Sequence, residues 1–129
     1  TIVSKNYLDC ISDLIKDVGF IHSDFNDSIK KVGEGDFVYL DPPYAPINSN
    51  SFVEYTANGF SLDTHKKLFN DILELNNKKA KFVMSNAKVD LVTKTFKDFY
   101  VEEKNDILAR RAINPKKPGS TTTEVIIHN

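Results

Sequence analysis

The chain has 129 residues, of which 40% are hydrophobic and 27% charged, with a formal net charge of -1. This composition excludes a disordered segment and fits one globular domain or part of one, since such a chain can bury roughly two-thirds of its unfolded surface. A single cysteine, Cys10, excludes an internal disulfide framework, and no apolar run reaches the ~20 residues that span a bilayer. We therefore expect a cytoplasmic protein without membrane contact, and without a global charge that attracts nucleic acid.

The first elements alternate between helical and extended patterns. Ser4 is placed to cap a helix whose apolar residues recur at helical spacing up to Gly19. A buried strand over residues 19–22, a short amphipathic helix over 27–32 and a second strand over 37–40 follow.

The remaining elements begin after an irregular segment. The segment over residues 41–61 is too long for an ordinary connection, which predicts a functional or mobile loop. Ser61 then caps a helix, and a strand over 80–84 and a helix over 89–96 come next. The tail has strand patterns near 100–102, 107–113 and 124–128. The alternation predicts an α/β fold with a mostly parallel sheet and an antiparallel strand at the C-terminal end.

The tetrad Asp41-Pro42-Pro43-Tyr44 directly follows the strand over 37–40. Ligands of parallel sheets bind beyond the carboxyl ends of strands, and two consecutive prolines stiffen the backbone there. The Asp41 carboxylate and the Pro42 carbonyl can accept both hydrogens of a ring-conjugated amine, which frees its lone pair for a methyl group, while Tyr44 stacks on the base. The alternative is a proline-rich turn in which Tyr44 only packs.

These residues resemble the catalytic motif of Dam-like, D12 class DNA adenine-N6 methyltransferases. The similarity continues in Phe52, Tyr55 and Phe60, which have the family spacing F-x-x-Y-x-x-x-x-F. It also includes Ser85-Asn86 after a strand and the terminal residues 124–129.

The resemblance implies a Rossmann-like methyltransferase sheet and methyl transfer from S-adenosylmethionine to adenine N6, usually within GATC. Asp41, Pro42, Pro43 and Tyr44 would be catalytic, acting on an adenine flipped out of double-stranded DNA. The aromatic residues of the second motif, namely Phe52, Tyr55 and Phe60, would line the base pocket or order the loop over it. Their alternative role is to anchor the loop in the core.

The pair Asp24-Phe25 resembles residues that contact the adenine of the cofactor in many relatives. In this chain, the resemblance implies that the pair binds the cofactor together with Asp41. Asp24 would accept from the cofactor amine and Phe25 would pack on its ring. The alternative, which the sequence supports to the same extent, is that Asp24 caps the following helix.

A basic segment, formed by Arg110, Arg111, Lys116 and Lys117, flanks a turn near the C-terminus. Such residues contact DNA phosphates, although short basic runs are also common as solvated surface. His22, His65 and His128 do not have metal-ligand spacing with Cys10, so we expect no metal.

No glycine-rich turn follows the first strand, and Gly33-Glu34-Gly35 precedes a strand instead. We therefore expect residues 1–129 to be the C-terminal part of a methyltransferase catalytic domain whose N-terminal strands are missing. Such a part would be inactive alone, and would associate with itself or with an N-terminal segment. The alternatives are a non-enzymatic remnant that acts as an oligomerising or DNA-associated module, and an amino-methyltransferase that acts on RNA or a glutamine amide.

Overall fold

The structure, a computed structural model, describes residues 3–46, 59–110 and 121–129. Its elements are α1 (Lys5–Leu14), α2 (Phe25–Lys30), β1 (Phe37–Leu40), α3 (Leu62–Asn77), β2 (Lys81–Ala87), α4 (Asp90–Thr95), β3 (Tyr100–Arg110) and β4 (Thr121–His128). Helices and strands follow one another as predicted, with two exceptions. Residues 19–22 form no strand, and residues 100–110 form one strand where two were predicted.

The described strands form one sheet in the order β1-β2-β4-β3. β1 and β2 are parallel and are connected through α3, whereas β4 is antiparallel to both β2 and β3. The mixed α/β class is therefore confirmed, but the prediction of a mostly parallel sheet is wrong for these strands. The reason is that β4 lies between two strands instead of at an edge, so it contributes two antiparallel pairings.

The predicted strand over residues 19–22 is wrong. Phe20 and Ile21 are 77% and 73% exposed, and the segment pairs with none of the described strands. An apolar run is compatible with a buried strand, but a strand forms only where a neighbour supplies its hydrogen bonds.

Capping side chains begin the three helices that precede β2. Ser4 accepts from the Tyr7 backbone N–H, Asp24 from that of Asn26, and Ser61 from that of Thr64. Each cap satisfies an N–H group that has no partner within its own helix. The α1 helix ends at Leu14, although the apolar residues at helical spacing continue in the sequence to Val18, four residues further on.

The core lies between α3 and the sheet. The buried face of α3 consists of His65, Leu68, Phe69, Ile72 and Leu75. Phe69 packs edge-on against Phe96, with ring centroids 5.2 Å apart. α3 lies against β2, and its N-terminal end lies close to the residues that follow β1.

By contrast, α1 contributes no buried residue. Its apolar side chains other than Ile11 are exposed, with Leu14 at 80% and Tyr7 at 62%. In β1, Phe37 and Tyr39 project from one face and are also about two-thirds exposed, at 66% and 64%. Within the described ranges, no helix has the length and apolarity that crossing a membrane requires.

Candidate active site

Asp41 lies directly beyond the last paired residue of β1, at the carboxyl end of the parallel pair. Its side chain is exposed, and the Ser85 hydroxyl donates to its Oδ1 at 2.7 Å. That distance is typical of a charge-assisted hydrogen bond. In the described part of the chain the Asp41 carboxylate has no other hydrogen-bond donor, so Oδ2 is available as an acceptor.

Tyr44 is half-buried, and its hydroxyl donates to Oε1 of Glu124 in β4 at 2.8 Å. Burial raises the pKa of Tyr44 to about 12, and the hydrogen bond and charge of Glu124 act in the same direction, while a hydrogen bond with Ser85 acts against them. The phenol is therefore a neutral donor at physiological pH. Its hydroxyl is engaged within the protein, which leaves the ring face as the part that can meet a ligand.

Replacing Tyr44 with phenylalanine should change how stability responds to alkaline pH. A tyrosine that ionises near 10.0 when unfolded and at about 12 when folded stabilises the protein fully below pH 10, and this contribution is lost as the pH rises to 12. We expect the excess stability of the unaltered protein over Tyr44→Phe to shrink across that window, as measured by urea unfolding at several pH values. A difference that stays constant from pH 10 to pH 12 would contradict this account.

His65 holds the next part of the motif and is fully buried. Its Nε2 lies 3.0 Å from the Pro43 carbonyl oxygen, and its Nδ1 lies 2.9 Å from the Ser61 carbonyl oxygen. Both partners only accept, so a neutral ring donates to one of them and a doubly protonated ring donates to both. Phe60 packs edge-on against the imidazole, with centroids 4.6 Å apart.

Asn86 completes the attachment of residues 41–45, which we call the motif loop. Its Oδ1 accepts from the backbone N–H groups of Ala45 and Ala87, both at 2.9 Å. In the motif loop, Asp41, Pro43, Tyr44 and Ala45 thus each bond to another element. The Pro42 carbonyl has no hydrogen-bond donor among the described residues, so both acceptors that an amine needs are uncommitted on the same short segment.

Asp24 and Phe25 lie at the start of α2. The Asp24 Oδ1 accepts from the backbone and side chain of Asn26, and these two hydrogen bonds, the backbone one first, lower the pKa of Asp24. The capping role is therefore present, and the charged carboxylate is exposed. Phe25 lies 6.0 Å from Phe60 between ring centroids, so Phe60 and His65 connect the start of α2 to Pro43.

Comparison with known proteins identifies the family. A model of the D12 class of N6 adenine-specific DNA methyltransferases matches residues 1–109, which is most of the chain. The chain belongs to this family. A type II methyltransferase of Lactococcus lactis subsp. cremoris is 32% identical over 132 residues, covering 99% of this chain and 45% of that relative.

Two further relatives carry similar names. A type II methyltransferase of Methanocaldococcus jannaschii is 33% identical over 89% of this chain and 39% of its own length. A DNA N-6-adenine-methyltransferase of Escherichia phage P1 is 30% identical over 75% of this chain and 13% of its own length. The chain thus spans less than half the length of these relatives.

The structure of this methyltransferase-family chain brings together some of the predicted site residues. Asp41, Pro42, Pro43 and Tyr44 lie together in the motif loop, and His65 links Pro43 to Phe60, which in turn lies next to Phe25. Other predicted residues, namely Phe52, Tyr55, Arg111, Lys116 and Lys117, lie outside the described residues, as does the side chain of Arg110, the last residue of β3. No described group of three His, Cys, Asp or Glu side chains is placed to hold a metal ion.

Sequence reasoning gave no role to four residues that hold the motif loop, namely His65, Ser85, Asn86 and Glu124, although the last three lie in segments that resemble the family. One signal was available, because Ser85 and Asn86 are polar residues within a buried strand, where a polar side chain needs a partner. Another was His65, a polar residue on the apolar face of α3. Glu124 had no local signal, since it is 80 residues from Tyr44 in the chain.

Proposed function

We propose that this chain carries the amine-binding part of a DNA adenine-N6 methyltransferase, and that residues 1–129 are the C-terminal part of its catalytic domain. The observation that carries the proposal is the pair of uncommitted acceptors, Asp41 Oδ2 and the Pro42 carbonyl, on a loop whose other members are hydrogen-bonded to α3, β2 and β4. Family membership and the exposure of Asp41 support the same conclusion.

The proposed mechanism uses both acceptors at once. Asp41 Oδ2 and the Pro42 carbonyl accept the two hydrogens of the adenine amine, which turns its lone pair out of conjugation with the ring. The nitrogen would bond to the methyl carbon as the bond from that carbon to the donor's sulfonium sulfur breaks, with the electron pair leaving on sulfur, and one amine proton would then pass to water. Positive charge grows on the nitrogen during transfer, so the Asp41 carboxylate stabilises the transition state more than the bound adenine. The ring face of Tyr44 supports the flipped base by stacking.

S-adenosylmethionine supplies the methyl group when bound, and the residues present fit its adenine end. Asp24 offers an exposed carboxylate with one oxygen engaged by Asn26, and Phe25 offers a half-buried ring next to Phe60. Asp24 would accept from the adenine amine and Phe25 would pack on the adenine ring. Calorimetric titration of the chain with S-adenosylmethionine tests this assignment, because Asp24→Asn removes the carboxylate but leaves an oxygen that can still cap α2.

The proposed substrate is double-stranded DNA with the target adenine flipped out. Arg110, Arg111, Lys116 and Lys117 are the proposed phosphate contacts, and GATC is the first target sequence to test. Binding through phosphates predicts an affinity that falls steeply as salt is raised. A reducing cytoplasm is the proposed location, because the exposed Cys10 is a free thiol.

The function is tested by identifying the product. The chain is assayed alone and after mixing with the part of the Lactococcus lactis relative that the alignment does not cover, which we call the complemented protein. Labelled methyl transfer to duplexes with and without GATC is followed by digestion and mass spectrometry of the nucleosides. N6-methyladenine from either preparation supports the proposal. Methyl transfer to cytosine, RNA or a glutamine amide instead would contradict it.

We also propose that the apolar surface of α1 and the edge of β1 that pairs with no described strand are covered by a second copy of the chain or by the rest of a longer methyltransferase. Parallel strands are usually covered on both faces, whereas Phe37 and Tyr39 of β1 are exposed, and an unpaired edge strand promotes association. The exposed residues of α1 form a second apolar surface.

Introducing a charge into this surface should reduce self-association. Leu14 is 80% exposed, so Leu14→Asp should leave the free energy of unfolding within about 0.5 kcal/mol of the original while weakening apolar contact between copies. We expect a lower average molar mass by static light scattering at equal concentration. Asn6→Asp adds the same charge on the polar side of α1, about 140° around the helix axis from Ile11, and should change little. A monomeric unaltered chain at every concentration would contradict self-association.

A further inference from the structure

The groups proposed to bind adenine are each held by a side chain that the reaction itself does not use. Ser85 donates to Asp41 and Glu124 accepts from Tyr44, at 2.7 and 2.8 Å. The two contacts belong to one network, because Ser85 and the Asp41 charge both influence the Tyr44 phenol. Ser85 comes from β2 and Glu124 from β4, so the network ties the motif loop to two neighbouring strands of the sheet.

Ser85 restricts a side chain that would otherwise rotate freely. Asp41 is exposed, and an unrestrained exposed carboxylate samples several rotamers, only some of which aim an oxygen at the amine. A bond from Ser85 to Oδ1 selects orientations in which Oδ2 is the oxygen left for a ligand. Ser85 is itself 6% exposed within β2, so its hydroxyl has little freedom to follow a moving carboxylate.

Glu124 restricts the Tyr44 ring in a comparable way. A tyrosine ring is fixed at Cβ, and a bond at the hydroxyl fixes its opposite end, which limits the direction of the ring plane. Base stacking depends on that plane, whereas a hydroxyl bound to Glu124 contributes nothing directly to a base. Glu124 lies within β4 opposite Ala87 of β2, so it is placed by the sheet and not by the loop.

Resting on the proposed function, we propose that Ser85 and Glu124 are positioning residues of the adenine site. Ser85 orients the Asp41 carboxylate toward the amine, and Glu124 orients the Tyr44 ring toward the base face. The two residues therefore control different parts of adenine recognition. Ser85 controls the contribution of the amine, and Glu124 controls the contribution of stacking.

The test measures these contributions separately on the full chain. Three single-stranded oligonucleotides carry adenine, purine or an abasic site at one position, so that no base pair has to open. The Kd ratio of purine to adenine reports amine capture, because purine lacks only the amine. The Kd ratio of abasic site to purine reports stacking. A variant that merely loosens the fold lowers both ratios together.

For the amine, Ser85→Ala should lower the purine-to-adenine ratio about 10-fold or more and leave the stacking ratio within about twofold, since a hydrogen bond to a charged group is lost. An unchanged amine ratio, or an equal fall in both ratios, would overturn the role of Ser85.

For stacking, Glu124→Ala should lower the abasic-to-purine Kd ratio about 2- to 10-fold, which corresponds to the free energy of one hydrogen bond. Glu124→Gln keeps an acceptor oxygen and should recover most of the ratio. Tyr44→Phe removes the hydroxyl, so adding Glu124→Ala to it should produce less than about a twofold further change. Full additivity of the two substitutions, or no rescue by glutamine, would overturn the role of Glu124.

A spectroscopic readout that needs no ligand accompanies the binding data. Phenolate absorbance is followed against pH, and the component that is absent in Tyr44→Phe belongs to Tyr44. The pH midpoint of that component should fall in Glu124→Ala toward the midpoint of an ordinary tyrosine. Glu34→Ala, an exposed residue preceding the other end of β1, should not move it. A midpoint unaffected by Glu124→Ala would overturn the inference alone. Kd ratios of one in the unaltered chain would instead overturn the proposed function and this inference with it.

Discussion

Asp41→Asn is expected to lower kcat for methyl transfer about 100- to 1,000-fold, the usual loss when one preorganised electrostatic group is removed from an active site. Asparagine keeps one acceptor oxygen and nearly the same size, so it isolates the negative charge. That charge faces a nitrogen that becomes positive only during transfer, which is why kcat should fall more than KM rises. The measurement is initial-rate transfer of labelled methyl groups, in whichever preparation, chain alone or complemented protein, transfers them.

Asp17→Asn provides the matched control, since Asp17 is an exposed residue in the turn after α1 and its loss should leave kcat unchanged within about twofold. The urea-unfolding midpoint of Asp41→Asn should also stay close to that of the unaltered protein, because the Ser85 hydroxyl can still donate to the asparagine oxygen. An Asp41→Asn protein with full kcat would remove Asp41 from the mechanism. Loss of activity together with loss of folding would assign Asp41 a structural role.

The local parts of this fold are predictable because short-range chemistry determines them. Ser61 is followed by an amphipathic pattern and caps α3, as predicted, and the apolar run over 37–40 matches β1. The position of Asp41 at the carboxyl end of a strand follows from the same reasoning, because the tetrad begins where the apolar run ends. Prolines at 42 and 43 leave no backbone donor with which to continue the strand.

Pairings between distant residues are not predictable in this way. The position of β4 between β2 and β3 depends on tertiary contacts. The sequence pattern of an antiparallel strand is therefore the same whether the strand lies near the centre of the sheet or at its edge. The bond from Tyr44 to Glu124 likewise joins residues 80 positions apart. At residues 19–22 a strand was predicted that does not form, since their apolar pattern fits a strand but no described strand pairs with them.

His65→Leu is expected to destabilise the protein by about 1–3 kcal/mol, the cost of leaving a desolvated acceptor without its partner. Leucine has a similar volume and suits the apolar face of α3, so packing against Phe60 and Phe69 is largely preserved. The Ser61 carbonyl retains the helix bond from the backbone N–H of residue 65, at 3.0 Å. The Pro43 carbonyl has no other donor in the described chain, so it bears the loss, and the motif loop loses its attachment to α3.

Urea unfolding measures this change, and His22→Leu is the matched control. His22 is exposed in the segment before α2, so the same substitution there should alter the free energy of unfolding by less than about 0.5 kcal/mol. Because Pro43 adjoins Tyr44, release of the loop should also lower the Tyr44 phenol midpoint in His65→Leu but not in His22→Leu. If His65→Leu were as stable as the unaltered protein, the bond from His65 to Pro43 would not hold the motif loop, and β2 and β4 alone would have to position Asp41 and Tyr44.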